Sequence, residues 1–157
     1  MSWMAWRASG VRLDFLSELR FVKGQLTING WPQAADAVLF VTPEFNRSVP
    51  GALKNAIDVG SRPYGSSVYN GKPGAVITAS PGGIGGFGAN HHLRQMLAFL
   101  NVPTLTNEAY IGNAYALFDE NGELINEGTT EFLKAFGQAF STWSEKVIDD
   151  ETVAKAA

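Results

Sequence analysis

The residues best suited to chemistry lie in two loops, each following an apolar run. The first is Pro43-Glu44-Phe45-Asn46-Arg47-Ser48-Val49-Pro50-Gly51, after the run 37–42. It gathers a carboxylate, an aromatic ring and an amide, and ends in a Pro-Gly pair. The second is Ser80-Pro81-Gly82-Gly83-Ile84-Gly85-Gly86-Phe87-Gly88, after the run that starts at Gly74. Bare glycine backbone lets amides approach a ligand closely, and a helix N-terminus can cradle an anion. Gly83–Gly88 matches G-x-G-x-x-G, with Glu108 downstream at the spacing of a ribose-reading acid. That fingerprint belongs to the first βαβ unit of a dinucleotide fold. Here another strand, loop and helix precede it, and their loop is the more polar one. The other reading is a glycine-rich turn that admits something flat.

Each polar residue also has a plainer role. Glu44 reads as a solvated loop carboxylate or an interfacial ion pair, on a par with a cofactor role. Phe45 reads as core packing, and Asn46 as a helix cap or an Asx turn. Pro50 suits the first position of a helix, with Gly51 a tight entry. His91 and His92 are adjacent and face different sides of a helix, which is poor metal geometry. Arg94 reads as part of a solvated helix face. No catalytic side chain and no metal ligands are assigned.

The elements that must position these loops follow from periodicity. The runs 37–42 and 74–80 are continuous rather than alternating, as expected of strands buried on both faces of a parallel sheet; 104–111 is a weaker third strand. Between them, Leu53, Ala56 and Ile57 form one helical stripe, and Leu93, Met96, Leu97 and Leu100 another. A last helix is expected from Thr129 or Thr130, with Phe132, Phe136, Phe140, Trp143 and Val147 as its core face, and 119–122 is a turn before it. This alternation predicts an α/β domain with right-handed crossovers, whose ligand lies at the carboxyl ends of the strands. In the head, 11–16 and 24–30 read as short strands.

Composition sets bounds on function. The chain has 157 residues, 45% of them hydrophobic, and a net charge of -3. A single domain with a real core is expected. No basic run offers a nucleic-acid footprint. The absence of cysteine excludes disulfides and thiolate metal sites and fits a reducing cytosol. No apolar run approaches the roughly 20 residues that span a bilayer, and the first fifteen or so residues lack the apolar segment of a secretory signal. A cytoplasmic protein without membrane or nucleic-acid partners is the expectation.

Taken together, the two loops and the segment His91 to Pro103 resemble the NADPH-dependent FMN reductase family, the flavodoxin-like group of chromate, quinone and azo-dye reductases. Pro43, Glu44, Asn46, Ser48, Pro50, Gly51, Leu53, Lys54, Asn55, Ala56, Ile57 and Asp58 match its loop-and-helix pattern, with Phe45 where Tyr is usual. The resemblance runs from about Ala35 to Trp143. It implies a flavodoxin-like three-layer α/β sandwich with a parallel sheet. It also implies an oxidoreductase that passes electrons from NADPH or NADH through FMN to a small acceptor such as a quinone, chromate or an azo dye. Pro43, Glu44, Phe45 and Asn46 would then line the flavin, with Ser80, Pro81, Gly82 and Gly83 at its pyrimidine edge. Arg94 resembles a position on a helix that packs between subunits, and family members are commonly homodimers or homotetramers.

The head departs from that pattern. Family members open with a strand and a Gly-Ser-x-Arg-x-x-Ser-x-Asn loop that holds the FMN phosphate, and residues 1–36 do not reproduce it. The N-terminal βα unit is therefore read as missing or altered, with 11–16 a candidate for the family's second strand. The chain divides into an atypical segment 1–34, a family-like core 35–147 and a tail 148–157. Two further readings follow: a non-catalytic flavodoxin-like remnant serving as an oligomer or interaction module, and a direct dinucleotide binder built on Gly83–Gly88.

Overall fold

Apolar runs separated by helices pair in parallel to make the central sheet. A computed structural model describes residues 35–156, those at 35–149 with side chains, and four short strands before them. These are β1 (Arg7–Ala8), β2 (Val11–Arg12), β3 (Arg20–Val22) and β4 (Gln25–Thr27). They pair as two antiparallel hairpins, β1 with β2 and β3 with β4. Val11 and Arg12 thus belong to a hairpin, and among the described residues they do not join the parallel sheet; the remainder of 11–16 lies outside the described residues.

The main sheet has the order β5-β6-β7, all parallel, with β5 at Val38–Pro43, β6 at Gly74–Ala79 and β7 at Ala109–Ile111. The third strand is much shorter than its apolar pattern suggested, and Thr104 contributes only an isolated bridge to Gly74. Helices α1 (Gly51–Gly60) and α2 (Phe87–Phe99) link the strands, and α3 (Glu127–Ala156) ends the described chain.

Two apolar clusters sandwich the sheet. On one face Val38, Phe40 and Val76 pack with Ile57 of α1 and Ala89, Leu93 and Leu97 of α2. On the other, Ala75, Ile77 and Ala109 pack with Phe136 and Phe140 of α3. Both crossover helices thus lie on one side, as same-handed connections require. Strand β6 is buried along nearly its whole length, which is why its sequence is continuously apolar. Strand β5 alternates instead, because Leu39 and Val41 are only partly covered on the α3 side.

The helix boundaries have local causes. Pro50 is the residue before α1 rather than its first member, with φ -55 and ψ 141, and its carbonyl accepts from Lys54 N–H at 3.1 Å. Helix α3 starts earlier than Thr129, because the Asn126 carboxamide accepts from Thr129 N–H at 2.8 Å and caps the first turn. It also continues through the expected tail to Ala156. The 119–122 turn is present, with Gly122 at φ 82 and its N–H donating to Asp119 O at 3.0 Å.

The aromatic stripe of α3 divides. Phe136 and Phe140 are buried, whereas Phe132, expected in the core, is 41% exposed. Phe140→Ala should therefore cost about 3–5 kcal/mol, while Phe132→Ala should cost about 1 kcal/mol or less. Denaturant unfolding of the two variants reads the difference directly.

Candidate functional site

Pro43 lies opposite Ala79 in the parallel register of β5 and β6, so the two loops leave the sheet side by side at its carboxyl edge. Phe45 N–H donates to Ser48 O at 2.8 Å, and Ser48 N–H donates back to Phe45 O at 3.0 Å. Between them Asn46 and Arg47 take φ of 51 and 65, the left-handed pair of a tight hairpin turn. Asparagine accepts this conformation readily and arginine does so at a cost. Asn46 is therefore a turn residue, and its side chain makes no hydrogen bond among the described residues. Phe45 is 58% exposed and so is not core packing. Pro43, Phe45 and Asn46 are all exposed at the loop edge.

Glu44 is different: its side chain is only 9% exposed. One carboxylate oxygen accepts from Ala89 N–H in the first turn of α2 at 3.0 Å, and the other accepts from Arg47 at 3.3 Å. A negative group there is favoured by the positive end of the helix. The same arrangement opposes a pyrophosphate at Gly83–Gly88, since the helix end already carries a carboxylate.

The second loop is braced from inside and behind. Ser80 Oγ accepts from Gly82 N–H at 3.1 Å. Ser80 N–H donates to Ile111 O at 3.0 Å, Asn113 N–H to Gly82 O at 3.2 Å, and Ala114 N–H to Ser80 O at 3.1 Å. A Cβ on Gly112 would stand 2.6 Å from Gly83 O. The brace from Gly112 to Ala114 was not singled out from sequence, although a Gly-Asn pair is a turn signal.

The glycines of this loop do separate jobs. Gly85 and Gly86 have φ of 60 and 81, and a Cβ on either would press on Tyr110 or Thr78 at under 3 Å. Gly88 is jammed against Arg47 O, 2.6 Å from where its Cβ would be. These serve the fold. A Cβ on Gly83 would meet nothing within 4 Å, and one on Gly82 would meet only Ser80 Oγ at 3.6 Å. Both are exposed, as is Pro81, and Ser80 is half-buried. Among the described residues the N–H groups of Gly83 and Ile84 have no acceptor. Open glycine backbone with free donors suits a flat, acceptor-rich ring, so the residues present fit the pyrimidine edge of a flavin.

Beneath the loops a buried network ties α2 to the sheet. Asn90 Nδ2 donates to Thr78 Oγ1 at 3.4 Å, and Asn90 Oδ1 accepts from Arg94 Nε at 2.8 Å. The rest of the Arg94 guanidinium donates to Leu105 O at 2.8 Å and Asn107 O at 2.7 Å. Arg94 is thus spent inside the chain, not on a solvated face. His91 Nδ1 lies 3.0 Å from Phe87 O and His92 Nδ1 3.0 Å from Ser48 Oγ, on different sides as adjacency requires. Burial, with the Glu108 carboxylate next, pushes the neighbouring Tyr110 phenol up to about 12, which keeps it neutral. Among the described residues no group of three or more His, Cys, Asp or Glu could hold a metal, and no helix is long and apolar enough to cross a membrane. A cavity of about 270 Å³ opens at the end of β7, bounded by Ile111, Leu117, Thr129 and Phe132.

The glycine assignments are separable by stability. Gly85→Ala should destabilise by about 1–3 kcal/mol through its left-handed backbone and the contact with Tyr110, whereas Gly83→Ala should stay within about 0.5 kcal/mol of the parent. Chemical denaturation of both variants checks this.

The sequence profile of the NADPH-dependent FMN reductase family matches residues 32–116. A quinone reductase of Pseudomonas putida is 64% identical over 110 residues, covering 69% of this chain and 59% of that protein. An NADPH:quinone oxidoreductase of Arabidopsis thaliana is 36% identical over 141 residues, covering 80% and 70%. Among solved structures, the flavoenzyme NAD(P)H:(acceptor) oxidoreductase FerB of Paracoccus denitrificans superposes with a TM-score of 0.66 at 43% identity, covering 73% of this chain and 63% of that one. The chain spans about 60% of the length of the bacterial relative. With the parallel sheet and its two helical layers, these matches identify the fold as flavodoxin-like. The chain belongs to the NADPH-dependent FMN reductase family.

Proposed function

We propose that this chain is an FMN-dependent NAD(P)H oxidoreductase that reduces quinones. One observation carries the reading. Adjacent strands β5 and β6 deliver, side by side, an exposed Phe45 with an uncommitted Asn46 carboxamide and a bare Gly82-Gly83 backbone with the free N–H groups of Gly83 and Ile84. The names of the quinone-reducing relatives support the acceptor class.

When bound, FMN supplies the redox chemistry, a hydride accepted from the nicotinamide and two electrons delivered to the acceptor. The chain's own residues orient and enclose. Phe45 and Pro43 offer apolar surface to one side of the ring, and the Asn46 amide supplies a donor and an acceptor beside it. The free N–H groups of Gly83 and Ile84 would donate to acceptors along the pyrimidine edge, where donors favour added negative charge. Chromate and azo dyes fall within the same reading as alternative acceptors. The chain is further read as a cytoplasmic homodimer or homotetramer, with no nucleic-acid or membrane partner.

The test is flavin titration followed by activity. The protein should quench FMN fluorescence on binding and oxidise NADPH or NADH when a benzoquinone is present. Gly83→Ala should weaken FMN binding about tenfold or more, equivalent to about 1.4 kcal/mol, with stability unchanged. A protein that stays colourless and leaves FMN fluorescence unaltered would sink the reading and favour an interaction module.

A further inference from the structure

We infer that Glu44 is a positioning residue that sets the spacing between the two walls of the flavin site. The inference rests on the proposed function, since those walls matter only if a ring lies between them. Glu44 belongs to the first loop, yet its carboxylate accepts from Ala89 N–H at 3.0 Å, across 45 residues of chain. Ala89 closes the first turn of α2, which continues directly from the Gly82–Gly86 loop. The carboxylate therefore joins the wall that carries Phe45 and Asn46 to the wall that carries the free glycine amides.

Three further contacts make the junction tight. The second carboxylate oxygen accepts from Arg47 at 3.3 Å, so the charge is held within the turn it anchors. Gly88 lets the loops touch, because a Cβ there would lie 2.6 Å from Arg47 O and 2.9 Å from the Glu44 carboxylate. Ser48 Oγ lies 3.0 Å from His92 Nδ1, one turn further along α2. The Glu44 side chain is largely buried, so its hydrogen bond is screened little by water and strengthened by the helix end. The carboxylate is largely buried and held by Ala89 and Arg47, whereas Phe45 and Asn46 are exposed. Its effect on a bound ring is exerted through the position of Phe45 and Asn46.

Three variants test this. Glu44→Gln keeps an oxygen acceptor at the same reach, Glu44→Asp keeps the charge but withdraws it, and Glu44→Ala removes both. In the protein without flavin, hydrogen exchange at the Ala89 amide should stay slow in the parent and Glu44→Gln and rise about tenfold or more in Glu44→Ala, in keeping with a lost charged hydrogen bond. FMN binding, read by fluorescence titration well below the melting temperature, should weaken about tenfold in Glu44→Ala and by about threefold or less in Glu44→Gln. The visible circular dichroism of bound flavin should change in Glu44→Ala and match the parent in Glu44→Gln. If Glu44→Ala does not fold, Glu44→Asp carries the same three readouts with intermediate changes expected.

A lowered melting temperature with unchanged FMN affinity and unchanged flavin dichroism would overturn the inference, since that is the mark of a purely structural contact. Unchanged exchange at Ala89 would overturn it as well. If the parent protein bound no FMN while Ala89 exchange responded to Glu44, the flavin function would fall and the junction itself would stand.

Discussion

The site depends on the parallel register of β5 and β6. Because Pro43 pairs with Ala79, both strands end at the same level, and the chain must leave the sheet there in two neighbouring loops. A parallel sheet has no tight hairpins, so each loop leads into a helix that returns along one face. The buried aliphatic side chains of β6 and the two apolar clusters hold that register, since a slip of one residue would turn Val76 and Ile77 to the wrong faces. Everything at the carboxyl edge inherits its position from this pairing.

Much of that frame was legible in the sequence because the frame is made of strong periodic signals. The stripe Leu53, Ala56 and Ile57 and the stripe Leu93, Met96, Leu97 and Leu100 pack where their spacing placed them. The failures come from local competition between weak signals. Asn126 outbids Thr129 as the cap of α3 because its carboxamide reaches the right amide. The third strand is short because Thr104 leaves the ladder after one bridge. Phe132 keeps the helical spacing but sits at the end of the stripe, 41% exposed beside the cavity at the end of β7.

The loops were legible in composition more than in role. Residue types in Pro43–Asn46 and Ser80–Gly83 marked the candidate site. They did not say which glycines serve the backbone and which leave room, a distinction that needs the positions of Tyr110, Thr78 and Arg47 in space. The partnership of Glu44 with Ala89 and the Arg94–Asn90–Thr78 network are equally invisible in a linear reading, since each joins segments far apart along the chain. The Asn46-Arg47 turn lies between these extremes. Asparagine hints at a left-handed residue, and arginine conceals the second one.

The distance along the chain between Pro43 and Ala79 also bears on how the protein reaches this state. The turn at Phe45–Ser48 closes through neighbours and can form early, on the timescale of a hairpin. The wall opposite it is brought alongside only once β6 has docked in parallel, a non-local step of the kind that slows folding. Half of the candidate surface is therefore available to a nascent chain long before the other half. On the proposed function, competence to hold a ring should appear late and all at once, with the completion of the sheet.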